Sequence, residues 1–71
     1  MSVHHHGVLR VRFYPGHDHW TCVVQRMGPD GMPTGPDELS ATGKTREEAW
    51  SHALELTDDE EIREALNHAT H

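Results

Sequence analysis

Two histidines flank an aspartate at residues 17–19, in the order His-Asp-His. On a β-strand, residues two positions apart point to the same side, so the imidazoles of His17 and His19 could reach one metal ion. A third ligand would have to come from His52, from a chain terminus or from a carboxylate. The alternative is a polar, exposed hairpin tip, which we favour, and we expect no metal or other cofactor.

The chain carries eight histidines in all, and three of them form a run at residues 4–6. This run is either native or the remainder of a purification tag. Chain ends of this kind are seldom held by packing, so we expect residues 1–7 to form a flexible N-terminal segment. The folded domain is therefore assigned to residues 8–69.

Residues that could catalyse a reaction are few. Cys22 is the only cysteine, and its position on a predicted strand favours a small core residue over a nucleophile paired with a histidine. The four consecutive acids at residues 58–61 stand at a predicted helix start, where capping explains them. The glycines at residues 28–35 alternate with prolines and precede no helix, so they form no phosphate-binding loop. We expect a protein that is not an enzyme.

A second candidate chemistry is nucleic-acid binding by an exposed sheet face. Arg10, Arg12 and Tyr14 alternate along the first predicted strand and share the side opposite the core. Arg26 is expected near them or at the end of the next strand. Guanidinium groups beside an aromatic ring can hold single-stranded RNA or DNA by charge and stacking. An ordinary solvated sheet face explains the same residues, and the net charge of −6 opposes phosphate binding.

Acidic residues dominate the second half of the chain. Residues 1–35 carry a net charge of +1 and residues 36–71 carry −7. An acidic helical surface repels phosphate and suits a basic protein partner, whereas a solvated helix face is the plainer explanation. We predict a non-enzymatic protein that docks on a basic partner through this surface, with nucleic-acid binding as the alternative. The residues predicted to contact the basic partner are Glu47, Glu55, Asp58, Asp59 and Glu61.

Three strands are predicted to precede the acidic region. Residues 8–14 alternate apolar and polar side chains, residues 19–27 are rich in β-branched and aromatic types, and the Pro-Gly turn between them predicts an antiparallel hairpin. A loop rich in proline and glycine spans residues 28–37, and residues 38–42 are typical of a short edge strand. The side chains expected to face the core are Leu9, Val11, Phe13, Trp20, Cys22 and Val24.

Two helices are predicted to follow the strands. Thr45 and Glu48 form a capping box at the start of the first helix. Residues 57–60 repeat this capping pattern, so we predict a second helix over about 58–69 rather than a single bent helix. The predicted fold is α+β: a three-stranded antiparallel sheet with the C-terminal helices packed on one face, in the order β-β-β-α-α. The expected apolar stripe of the first helix is Ala49, Trp50, Ala53, Leu54 and Leu56.

The chain is 71 residues long, and it has no apolar run approaching the roughly 18 residues that a membrane-spanning helix needs. We expect one soluble, cytoplasmic domain without membrane association, since a lone cysteine fits a reducing compartment. Few large apolar side chains are present to form a core. A homodimer or a complex with a partner would therefore add stability to a domain of this size.

The junction between the third strand and the first helix carries a Gly-x-Thr-x-Glu-Glu-Ala motif, formed by Gly43, Thr45, Glu47, Glu48 and Ala49. The stretch containing this motif resembles the HicB-like antitoxin domain, in which the last strand turns through such a motif into the helix. The resemblance extends over residues 8–56. It implies a partial RNase H-like β-β-β-α fold and an antitoxin-like or inhibitor-like role in a bacterial or phage protein.

Overall fold

The computed structural model describes residues 8–69, and the segment 1–7 that we expected to be flexible lies outside the described residues. Three strands precede two helices, and the strands form an antiparallel sheet in the order β1-β2-β3. This architecture confirms the predicted α+β fold and its β-β-β-α-α order. The elements are β1 (Val8–Pro15), β2 (Trp20–Met27), β3 (Leu39–Gly43), α1 (Arg46–Leu56) and α2 (Glu60–His68).

The hairpin of β1 and β2 pairs residue for residue along both strands. A short turn over residues 16–19 connects them, and the Gly16 N–H donates to the His19 carbonyl at 2.6 Å to close it. Because His19 belongs to the turn, β2 begins at Trp20, one residue later than predicted.

The loop over residues 28–37 is tied back to β2 by main-chain hydrogen bonds. The Thr34 N–H donates to the Arg26 carbonyl at 2.9 Å, and the Glu38 N–H donates to the Val24 carbonyl at 2.8 Å. Both carbonyls therefore point toward the side of β2 on which β3 lies. β3 is an edge strand, as predicted, and it is shifted by one residue from the predicted range.

Helix α1 begins at the cap that the sequence predicts. Thr45 Oγ1 accepts the Glu48 N–H at 3.0 Å, and Glu48 Oε1 accepts the Lys44 N–H at 2.9 Å. The carboxylate reaches the residue before the cap, whereas in a standard capping box it bonds the N–H of the cap itself. Both bonds satisfy main-chain donors at a point where the first helical turn supplies no acceptor.

The two helices are separate elements. Helix α1 ends at Leu56, and Thr57 is extended with φ −124° and ψ 140°, which excludes the alternative of one bent helix. Asp59 Oδ1 then accepts the N–H groups of Glu61 and Ile62 at 2.8 and 3.4 Å, so Asp59 is the cap of α2. Because the cap is Asp59, α2 begins two residues later than predicted.

The elbow between the helices, residues 57–59, is fixed by Arg63. The Arg63 Nη1 atom donates to the Leu54 carbonyl at 2.7 Å and to the Thr57 carbonyl at 3.4 Å. The carbonyls at the end of a helix find no N–H donor within the helix, and here the guanidinium donates to two carbonyls at the end of α1. These bonds hold the end of α1 against α2.

The core lies between the sheet and the helices. Leu66 is fully buried, and its carbonyl accepts the Trp50 Nε1–H at 2.7 Å, which joins the two helices. Leu56 was predicted to lie on the apolar stripe of α1, but it is 62 % exposed. It lies beside the edge strand β3, where no further strand among residues 8–69 covers it. The buried core consists of Cys22, Val24, Ala41, Ala49, Ala53, Ile62 and Leu66.

Candidate functional site

The molecule presents two opposed surfaces. Both helices pack on one face of the sheet, and no helix within residues 8–69 covers the other face. We call the exposed side chains of residues 46–68 the helical surface. We call the outward side chains of the strands the sheet surface; its members are Val8, Arg10, Arg12, Tyr14, Thr21, Val23, Gln25, Met27, Ser40 and Thr42.

Two of the five acids predicted to contact a partner already bond other groups of the chain. Asp59 caps α2 through its carboxylate. Glu61 Oε1 accepts a hydrogen bond from Arg26 Nη2 at 3.0 Å, which raises the pKa of the guanidinium. The remaining three, Glu47, Glu55 and Asp58, are exposed, and their carboxylates make no hydrogen bond or ion pair within the described part of the chain.

Two further acids on the helical surface were not among the predicted contacts. Glu60 and Glu64 are exposed on α2, stand one helical turn apart, and have no hydrogen-bond or ion-pair partner among residues 8–69. The i, i+4 spacing of Glu60 and Glu64 was visible in the sequence, but the choice of Asp59 as the helix cap was not. We use the term free acids for Glu47, Glu55, Asp58, Glu60 and Glu64.

Arginines near the helices are engaged within the fold. The Arg46 guanidinium lies over the Phe13 ring at 4.1 Å from its centroid. Arg63 is bonded to the carbonyls of Leu54 and Thr57, and Arg26 lies 3.0 Å from Glu61 and 3.8 Å from Glu38. None of these cations forms an ion pair with the free acids within residues 8–69, and residues 46–68 contain eight acids against two arginines, so the helical surface carries a net negative charge.

The sheet surface carries the opposite charge. Arg10 lies opposite Gln25 and Arg12 lies opposite Val23, so neither guanidinium faces an acid directly across the β1–β2 ladder. The nearest acid identified at this surface is Asp37, whose carboxylate accepts the Gln25 Nε2–H at 3.1 Å. Both arginines are exposed, and within the described residues neither makes an ion pair. Tyr14, two residues further along β1, is 44 % exposed on the same surface.

Arg26 does not belong to the sheet surface, contrary to its predicted grouping with the arginines of β1. It lies opposite Leu9 in the ladder and therefore points to the helix-covered face, where Glu61 and Glu38 contact it. The alternation of β2 already contained this information, because Arg26 has the same parity as the core residue Val24. The cations of the candidate nucleic-acid surface are therefore Arg10 and Arg12 alone among the residues predicted for it.

The histidines considered as metal ligands are not arranged around a common point. His17 and His19 lie in the turn between the strands, so the alternation of a strand does not align them. The Nδ1–H of His19 bonds Asp18 at 3.0 Å, which lowers the pKa of that carboxyl group. His52 Nδ1 is bonded to the Thr42 carbonyl at 2.6 Å. Within residues 8–69, no group of three potential ligands is close enough to hold a metal ion.

Cys22 lies at the centre of the sheet and has no solvent-exposed area, as expected for a core residue. Burial removes the hydration that a thiolate needs, and it raises the pKa of the thiol to about 11. At neutral pH the side chain is therefore a protonated, enclosed thiol. It contributes packing between β2 and the helices.

Comparison with protein-family models, curated proteins and solved structures finds no match for this chain. The similarity to the HicB-like domain therefore stays a prediction from the motif at the β3–α1 junction. Among residues 8–69, no helix is both long enough and apolar enough to cross a membrane.

Proposed function

We propose that the protein is a small, non-enzymatic interaction protein of the antitoxin-like or inhibitor-like kind, and that its helical surface docks on a basic protein partner. The observation that supports this proposal is that the acids and the arginines around the helices differ in whether they contact other groups of the chain. The nearby arginines are held by other groups, while the free acids face solvent. A cytoplasmic location accompanies the proposal, since Cys22 is an unpaired thiol.

Electrostatic attraction would guide the encounter. An exposed ion pair contributes only about 0–1 kcal/mol, but several charges of one sign on a small surface attract a basic partner and increase the rate of association. The elbow is held by Arg63 and by the Asp59 cap, so the free acids on α1 and α2 keep fixed relative positions.

An apolar anchor lies within the acidic surface. Leu56 is 62 % exposed and adjoins Glu55, and both line a shallow groove of about 370 Å³ with Ser40, Thr42 and His52. Interfaces commonly combine a central apolar contact with a polar rim. We infer that Leu56 enters the interface and that the surrounding acids pair with lysines or arginines of the partner.

Removing two free acids tests this proposal. The wild-type chain, the variant Glu55→Gln with Asp58→Asn, and the control Asp18→Asn with Asp30→Asn are immobilised and exposed to an extract of the cells that express the protein. The two variants lose the same number of charges, but the control acids lie in loops. We expect the first variant to recover about tenfold less of the basic partner, and the control to match the wild type.

The same experiment is repeated as the salt concentration is raised. Capture by the wild-type chain should fall between about 0.05 and 0.5 M salt, because screening shortens the range of the attraction. Equal recovery of the same proteins by all three chains would show that the free acids do not form the docking site.

A second candidate function is the binding of single-stranded nucleic acid by the sheet surface. The placement of Arg10, Arg12 and Tyr14 on one uncovered face, without an acidic neighbour across the ladder, favours it. A gel shift with single-stranded RNA and DNA at low salt is the test. The variant Arg10→Ala with Arg12→Ala should lose the shift, whereas Lys44→Ala, in the connection between β3 and α1, should retain it. This function is excluded if the wild-type chain produces no shift.

A further inference from the structure

The hydrogen-bond pattern of β2 shows which main-chain groups of β1 point away from the sheet. The carbonyls of Val24 and Arg26 accept bonds on the β3 side, so the alternate residues Val23 and Gln25 direct their main-chain groups toward β1. Their partners in the register are Arg10 and Arg12. The alternate residues Leu9, Val11 and Phe13 therefore direct their N–H and C=O groups outward, to the open edge of the sheet.

Among residues 8–69, no strand pairs with this edge of β1, whereas one main-chain group of the opposite edge is already bonded. On β3, the outward carbonyl of Thr42 accepts the His52 Nδ1–H, and that strand is only five residues long. Along the eight residues of β1, no comparable bond reaches the outward groups of Leu9, Val11 or Phe13 within the described part of the chain. A long edge strand with unpaired main-chain groups is a template for another strand.

We propose that the edge of β1 binds an extended segment of a partner protein as a fourth strand of the sheet, and that this segment has acidic residues at alternate positions. On the sheet surface, its acidic side chains would lie beside Arg10 and Arg12. Main-chain hydrogen bonds to the outward groups of β1 would supply affinity, and the alternate side chains would supply specificity. This site adjoins the helical surface at α2, but it does not depend on the function proposed for that surface.

The helix-covered side of the β1 edge places a second requirement on the side chains of the bound segment. There, Leu9 and Ala65 line a groove of about 410 Å³ together with Glu61, Glu64 and His68. Small apolar side chains of the added strand fit beside Leu9 and Ala65, and an acid on that side would meet Glu64, which has no partner among residues 8–69. The segment is thus acidic on one side only.

A second copy of β1 is a poorer occupant. If two copies paired antiparallel about Val11, Arg10 of one copy would lie opposite Arg12 of the other, on both sides of the symmetry axis. Like charges directly opposite each other across a ladder are destabilising. In this register the two arginines disfavour pairing of the chain with itself and favour an acidic strand.

Synthetic peptides test the charge requirement. A fluorescently labelled peptide of alternating glutamate and valine is titrated with the intact chain, and a peptide of alternating lysine and valine is the control. We expect the glutamate peptide to bind at least about tenfold more tightly. The variant Arg10→Glu with Arg12→Glu should reverse this preference. Equal binding of the two peptides by the wild-type chain would overturn the proposal.

Backbone methylation tests the hydrogen-bond requirement. The chain is short enough for chemical synthesis, and N-methylation at Val11 removes one outward donor without changing a side chain or the β1–β2 ladder. We expect an unchanged circular dichroism spectrum and about tenfold weaker binding of the glutamate peptide. Unchanged binding would overturn the proposal. A wild-type dimer in sedimentation that the methyl group dissociates would also overturn it, because the edge would then be occupied by a second copy.

Discussion

Replacement of Leu66 by alanine is expected to lower the free energy of unfolding by about 2–5 kcal/mol. Leu66 has no exposed area and is among the largest fully buried side chains within residues 8–69. The substitution removes apolar contacts and leaves a cavity between α2 and the sheet, which a two-layer domain with one small core cannot readily close. A domain of this length is stable by only about 0.05–0.15 kcal/mol per residue, so much of its stability depends on this contact.

The matched control is Leu56→Ala, which makes the same chemical change at a side chain that is 62 % exposed. Its effect should stay within about 0.5 kcal/mol. Urea unfolding followed by far-ultraviolet circular dichroism measures both variants without relying on the fluorescence of Trp50, which is bonded to Leu66. Equal destabilisation by the two substitutions would contradict the assignment of the core to the space between the sheet and α2.

Replacement of Gly43 by alanine is expected to cost about 3 kcal/mol, at the upper end of the usual range for overpacking. A Cβ atom at this position would lie 2.5 Å from the Ala49 nitrogen and 2.7 Å from the Glu48 carbonyl carbon. Both neighbours are main-chain atoms of α1, so the helix itself would have to move. That movement would also disturb the Thr45 cap and loosen α1 from the sheet.

Gly35→Ala is the control for this prediction, because a Cβ atom at Gly35 would meet nothing within 4 Å. We expect a change of less than about 1 kcal/mol, and a small gain if the backbone already suits alanine. Thermal and urea unfolding of both variants provide the comparison. A Gly43→Ala protein as stable as the Gly35→Ala protein would show that the close approach of α1 to β3 is not required.

Short-range signals in the sequence predicted the elements well. The turn between β1 and β2, the Thr45 cap and the break before α2 each depend on residues within four positions of one another, where local chemistry decides the conformation. The boundaries differed by one or two residues, since they depend on which main-chain groups find partners. His19 and Asp59 illustrate this, because one closes a turn and the other caps a helix.

Local sequence signals could not predict which charged side chains are bonded within the fold. Glu61 is engaged because Arg26, 35 positions earlier in the chain, reaches it across the helix-covered face. Glu60, its immediate neighbour, points elsewhere on α2 and has no partner among the described residues. Whether an acid is held or free thus depends on tertiary distances, although the parity of Arg26 within β2 already indicated the face on which it lies.

At Gly43, too, the local sequence and the tertiary packing give different information. The sequence motif at the β3–α1 junction predicted a turn there, but among residues 8–69 only Gly31 has the positive φ that favours glycine. The structure requires Gly43 because of the space occupied by α1. A local motif predicted the position correctly, and the physical reason for it became apparent only from the packing.

Labelling of carboxylates tests the central proposal most directly. The chain is captured from an extract of the cells that express it, its carboxylates are modified with a carbodiimide and an amine, and the modified residues are read by mass spectrometry with and without the bound partner. We predict that modification of Glu55, Asp58 and Glu60 falls in the complex, while that of Asp18 and Asp30 does not change. Equal modification of the helical acids in the bound and unbound chain would contradict docking through the helical surface.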